Sequence, residues 1–166
     1  METSQDYFRQ RIDSLKDFNE AFEIVKSAVS SHFKMQRAGL SLLLQVMPSN
    51  LGAYHILGSN VIVINSHVLE FVKKASKAVS VYNAYLFMVL LHEYLHSFGI
   101  IDENRVRNMT YELCKTLLGD DHKATIMAKL DPSNVIPEMR YLQNPRFGTQ
   151  FEIVKNFDKS NQTYIH

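Results

Sequence analysis

Apolar residues open the chain at Phe8, Ile12, Leu15, Phe18, Phe22, Val25, Val29 and Phe33. Steps of three and four put them on one stripe, which predicts a single long amphipathic helix from about Asp6 to Phe33, with Thr3 or Ser4 as its cap. Asp13, Asp17, Glu20 and Glu23 occupy the other faces, so the stripe reads as core packing and not as a membrane-surface helix. The period then changes. Gly39 to Met47 is rich in leucine and closed by Pro48, the pattern of a buried strand. Two more short β segments, Leu51 to Leu57 and Val61 to Ile64, flank Gly58-Ser59-Asn60 and predict a hairpin or meander. Ser66 to Lys77 is expected to be helical, with Val68, Leu69 and Val72 on one side. Val81 to Phe98 is almost wholly apolar, as a helix through the core would be, and Gly99 stops it. A further helix is predicted from Glu103 to Leu118, begun by Asp102 or Glu103 and ended by Gly119, with Val106, Met109, Leu113 and Leu117 inward. A short helix from Asp121 to Leu130, capped by Asp120 or Asp121, follows. Beyond Pro132 the pattern weakens, and Phe151 to Val154 fits strand or helix equally well. Helix, small sheet, then mostly helices is an α+β order, and one domain over residues 1–166 is long enough to bury a real core.

Composition narrows the function classes. Apolar residues make up 46% and charged residues 21%, which argues for a folded globule and against disorder. The net charge is +1 with Lys and Arg dispersed, so no basic stripe marks a nucleic-acid partner. A single cysteine, Cys114, excludes a disulfide framework and a cysteine-type zinc finger, and its place among apolar neighbours reads as core. The start METSQDYFRQRID is charged and lacks a signal-peptide stretch, and the longest apolar run, Tyr85 to Leu91, is too short to span a bilayer. No membrane partner and a cytoplasmic location are therefore expected; the sequence does not set the oligomeric state.

Chemistry concentrates in His92-Glu93-Tyr94-Leu95-His96. On a helix, His92 and His96 share one face about a turn apart, so two imidazoles can reach one zinc ion. Glu93 projects beside that pair, badly placed as a ligand but well placed to hold a water and take its proton. The run sits on the apolar helix that carries Leu86 to Leu91, where unpaired polar groups would cost several kcal/mol, on the order of typical desolvation penalties.

The longer run His92-Glu-Tyr-Leu-His-Ser-Phe-Gly-Ile-Ile-Asp102 resembles the zincin superfamily of metallopeptidases, in its short-spacer form His-Glu-x-x-His-x-x-Gly-x-x-His or Asp. The resemblance implies a small archaeal- or bacterial-like zincin with one Zn2+ per chain. It further implies a zincin-like fold, in which a small twisted sheet packs on the buried active-site helix, between a long N-terminal helix and a helical C-terminal part. By the same resemblance Glu93 is the general base and acid, His92 and His96 are metal ligands, and Gly99 turns the chain so that Asp102 returns as the third. Aspartate is the minority residue at that position, and Met109 and Met139 carry no clear methionine-turn signature. Asp102 also suits a helix N-cap, with Glu103 in the first turn, and Glu103, Glu112 and His122 are alternative third ligands. In such domains an edge strand borders the cleft and pairs with an extended peptide; Tyr54 to Ile64 would supply it. Tyr54 or Tyr141 is a candidate oxyanion donor, Tyr94 is expected to pack, and His32, His55 and His67 are expected to lie outside the metal site. Arg107, four residues after Glu103, is expected to pair with it, a substrate-carboxylate clamp being the lesser reading.

The function expected is hydrolysis of peptide bonds in a peptide or protein substrate. Its alternative is a metal-stabilised regulatory or protein-interaction module with little or no turnover; hydrolysis of a non-peptide substrate would share the site. An unrestrained protease would be hazardous, so the N-terminal helix or the tail past Pro132 is a candidate cover for the cleft.

Overall fold

A computed structural model describes residues 3–146 and 151–159. The amino-terminal stripe forms two helices where one was expected, α1 (Ser4–Asp13) and α2 (Phe18–Phe33). Local hydrogen bonding breaks it. The Ser14 hydroxyl donates to the Gln10 carbonyl at 2.8 Å, and the Asp17 carboxylate accepts from the Glu20 N–H at 2.8 Å as the cap of α2. Glu20 in turn accepts from the Lys16 N–H at 2.8 Å. Capping side chains that compete with the helical ladder thus start a second helix without losing the stripe, since Phe8, Ile12, Leu15, Phe22, Val25 and Val29 are all buried. Thr3 caps α1 and exchanges hydrogen bonds with Asp6 in a capping box.

Strands β1 (Ser41–Gln45), β2 (Ala53–His55) and β3 (Val61–Asn65) follow, and the sheet has the order β2-β3-β1-β4, with β4 at Phe151–Ile153. The segments flanking Gly58-Ser59-Asn60 form the antiparallel hairpin β2–β3, and β3 then runs parallel to β1, from Ser41 opposite Val61 to Gln45 opposite Asn65. Asn65, fully buried, ties the β1–β2 connection down: its amide donates to the carbonyls of Met47, Pro48 and Leu51 at 3.1, 3.0 and 2.7 Å. That clamp holds β2 at the edge of the sheet.

Four helices complete the chain before its last strand: α3 (Ser66–Ala75), α4 (Val79–His96), α5 (Glu103–Leu118) and α6 (Lys123–Lys129). Helix α4 is the most apolar and is buried along almost its whole length, packed against α1, α2, α3, α5, α6 and the edge strand β2. The fold is therefore α+β, with a small mixed sheet and a central buried helix. Helix α6 is capped by His122, whose Nδ1 accepts from the Ala124 N–H, and not by Asp120 or Asp121 as expected. Two short 3-10 turns, Pro132–Asn134 and Pro137–Tyr141, begin the tail. Phe151–Ile153, whose pattern fits strand or helix, is a strand antiparallel to β1. The tail is tied into the core at two buried side chains, Ile136 and Phe157. Among the described residues no helix is long and apolar enough to cross a membrane.

Candidate metal centre

The last turn of α4 carries His92, Glu93 and His96, and the first turn of α5 carries Glu103. Between them the chain must reverse within a few residues. Gly99 does this at φ 90°, a left-handed conformation open to glycine and costly to other residues. No atom lies within 4 Å of the position a Cβ would take there, so the requirement is conformational and not steric. The reversal brings the Glu103 carboxylate against both imidazoles: Oε1 lies 2.6 Å from His92 Nε2 and Oε2 lies 2.9 Å from His96 Nε2.

Asp102 does not meet the histidines. Its carboxylate accepts from the N–H groups of Asn104 and Arg105 at 2.9 and 3.3 Å, the N-cap role that competed with ligation in the sequence. A carboxylate at the cap position folds onto its own helix end, whereas the next residue, in the first turn, projects from the helix surface. Asp102's fitness as a cap was the signal that pointed to Glu103. Glu112 and His122 are both engaged away from the centre. Glu112 faces His32 at 3.4 Å, and His122 caps α6 with its Nε2 towards Asp13. His55 bonds the Ser59 carbonyl and His67 the Gln143 carbonyl. The expected Glu103–Arg107 pair is not formed: both Glu103 oxygens face histidines, and among the described residues the Arg107 side chain has no hydrogen-bond or ion-pair partner.

The nitrogen–oxygen geometry calls for a cation. His96 Nδ1 lies 2.7 Å from the Ile100 carbonyl oxygen, which only accepts, so Nδ1 carries a hydrogen. A neutral ring then turns the Nε2 lone pair towards a carboxylate oxygen 2.9 Å away, an arrangement that repels unless something positive lies between. A proton on Nε2 satisfies it; so does a metal ion. Burial depresses the His92 imidazole despite the neighbouring Glu103 charge, favouring the neutral form that ligates metal. Burial by itself would raise the Glu103 carboxyl, but the two imidazoles outweigh it and hold it below the usual range. One ligand atom from each of His92, His96 and Glu103 can be chosen so that all lie within 4.8 Å of one another, close enough for the three side chains to converge on one ion. Two imidazoles and a carboxylate, one ring oriented by a carbonyl behind it, are a donor set that zinc accepts.

Glu93 stands beside this cluster in a different environment. It is 6% exposed, its Oε2 has no hydrogen-bond partner among the described residues, and burial, then the Glu103 charge, pushes its carboxyl up to about 8. A buried acceptor without a donor is rare and calls for a ligand, water or ion to complete it. Glu93 and His96 line a groove of about 390 Å³ with Tyr54, His55, Ile100 and Glu103. Strand β2 forms one wall. Gly52 accepts from Asn65 and Ile56 donates to Val61, so by ladder alternation Tyr54 also bonds β3, while the N–H and C=O groups of Ala53 and His55 point to the open edge.

The remaining polar and aromatic groups separate by position. Tyr54 lines the groove, its hydroxyl 3.3 Å from Gln45 Oε1, whereas Tyr141 is 83% exposed and lies outside it. Tyr94 packs as expected, its hydroxyl accepting from the Arg37 N–H and donating to the Arg37 carbonyl at 3.0 and 3.1 Å. Cys114 is fully buried, and burial pushes its thiol far above the usual range. Neither α1 nor α2 contributes to the groove, and β4 lies at the sheet edge opposite β2, so these elements do not cover it. No family model, curated protein or solved structure matches the chain.

Proposed function

We propose that the protein is a zincin-like, zinc-dependent peptidase, with His92, His96 and Glu103 as metal ligands and Glu93 as the general base and acid. The observation that carries this reading is the buried Glu93 carboxyl, its Oε2 without a partner among the described residues, beside a two-histidine, one-carboxylate cluster in a groove walled by an open strand edge. When bound, zinc supplies Lewis acidity that polarises a carbonyl and makes water more acidic. The protein's own groups do the rest. The edge groups of Ala53 and His55 can pair with an extended peptide and lay its backbone along the groove. Glu93 holds the attacking water by its free oxygen and takes one of its protons as the water oxygen bonds to the carbonyl carbon. When the C–N bond breaks, Glu93 returns the proton to the leaving nitrogen, so a carboxylic acid and an amine are formed from one water. Burial, which raises this carboxyl, makes it a stronger proton acceptor than an ordinary solvated carboxylate. The Ile100 carbonyl keeps His96 in its Nδ1–H form throughout.

The test is elemental analysis together with cleavage of a peptide library. Wild type should hold about one zinc per chain, by the one-site logic of such centres, and His92→Ala should lose it. Glu93→Gln should keep the metal and lose at least about a hundredfold in hydrolysis, the usual scale for a general base. Full metal occupancy with no cleavage of any peptide by wild type would reject the peptidase and leave the metal-stabilised interaction module. A fully active Glu93→Gln would reject the mechanism.

A further inference from the structure

A second hollow adjoins the metal centre on the His92 side. It measures about 170 Å³, room for one side chain or a chain end, and opens between α5 and the segment from Met127 to Pro132. Its floor is closed: Met88, Thr110 and Met127 are buried, and the Thr110 hydroxyl is spent on the Val106 carbonyl at 2.8 Å. Its rim is charged, with Arg107, Lys129 and Asp131. Asp131 is engaged with its own chain, its carboxylate accepting from the Ser133 N–H at 2.9 Å. Lys129 lies over the Tyr111 ring at 5.9 Å. Arg107 is different. It follows Glu103 by one helical turn, on the same face of α5, yet Glu103 turns both oxygens to the histidines and leaves the guanidinium without a partner among the described residues. An exposed guanidinium fork at the rim of a pocket that His92 also lines can take a carboxylate by two parallel hydrogen bonds.

We infer that Arg107 and the pocket it borders with His92 form a carboxylate-recognition subsite, selecting substrates that carry a free carboxylate on the residue next to the hydrolysed bond. This specificity rests on the peptidase reading of the same centre. The groove at Glu93 and His96 takes the extended part of the peptide, and the small pocket beyond His92 takes its last residue or an acidic side chain. A volume of about 170 Å³ leaves no room inside it for a long continuation of the chain. The shared chemistry is a carboxylate; it comes either from a peptide C-terminus or from an Asp or Glu side chain.

Two readouts separate this inference from the reading beneath it. The first is binding to the metal-loaded Glu93→Gln protein, measured by calorimetry, of an N-acetylated dipeptide with a free C-terminus, of its amide, and of an amidated peptide ending in Glu. The second is kcat/KM of wild type on the matching substrates. A carboxylate ligand should bind roughly two- to fivefold more tightly than the neutral amide, the scale of a solvent-exposed ion pair. Arg107→Ala should abolish the preference, Arg107→Lys should restore part of it, and Arg105→Ala should leave it unchanged. Preference for the free C-terminus assigns the pocket to chain ends; preference for the Glu peptide assigns it to acidic side chains. Equal binding of acid and amide, or a preference that survives in Arg107→Ala, overturns the subsite. Arg107-dependent carboxylate binding without turnover by wild type would sink the peptidase reading and leave the carboxylate subsite standing.

Discussion

Asp102 and Glu103 carry the same functional group on adjacent positions, and the backbone divides their work. The cap residue has extended backbone and bends its carboxylate onto Asn104 and Arg105, while the residue after it is helical and reaches the two imidazoles. Asp102→Ala should therefore cost about 1 kcal/mol of stability, the usual loss of an N-cap, and leave zinc content intact. Glu103→Ala should leave the fold in place and release the metal. Thermal unfolding and elemental analysis of the two variants check both halves; zinc lost from Asp102→Ala and retained by Glu103→Ala would reverse the assignment. Glu93, one residue from His92, shows the same dependence on surroundings. Its carboxyl is ordinary in sequence and is raised to about 8 because the apolar helix removes water from it.

At the scale of elements, the centre is a helix, a reversal and a second helix, and the reversal decides whether the two halves meet. Gly99 at φ 90° delivers both the Ile100 carbonyl to His96 and Glu103 to the histidine pair. Gly99→Ala should cost about 1–2 kcal/mol, the penalty for an L residue in that region, and weaken zinc binding at the same time. Chelator competition monitored alongside a denaturation curve measures the two together. Destabilisation with unchanged zinc affinity would mean that the reversal holds the fold but not the ligands. The break between α1 and α2 is a parallel case: Asp17 caps a new helix in the middle of a stripe whose spacing reads as continuous.

At the scale of the molecule, residues 151–159 are part of the fold and not a detachable cover. Ile136 and Phe157 are buried in the core, Phe157 stacks on Phe22 at 4.3 Å between ring centroids, and the buried Asp158 carboxylate ties this segment to α2 and to the start of the sheet. It accepts from the Gly39 and Leu40 N–H groups at 2.8 and 3.1 Å and from Lys26 at 2.8 Å. Burial would lower the Lys26 amine, but the Asp158 and Glu23 carboxylates more than offset this and raise it. Asp158→Ala should lose about 3–5 kcal/mol, the cost of removing one member of a buried pair, as read from urea unfolding. A loss below about 1 kcal/mol would show that the apolar contacts and the β1–β4 pairing hold the segment without the Asp158 carboxylate. Truncation after Asp131 removes all of these anchors, so it tests folding and not release of the groove.

Periodicity and punctuation determined most of the elements of this protein, because apolar stripes, caps and glycines act within a few residues of themselves. They placed the hairpin, the buried helix, its stop at Gly99 and the helix that ends at Gly119. They also determined that His92, Glu93 and His96 share one helix end, since helical spacing alone brings them together. Contacts between elements were beyond their reach. Which carboxylate returns to the histidines depends on the angle at which α5 leaves the turn, and local sequence made both Asp102 and Glu103 able to serve. The open edge of β2, the seat of the tail against β1 and the unpaired Arg107 beside His92 arise only when distant segments pack, because each is a statement about neighbours that the chain acquires by folding.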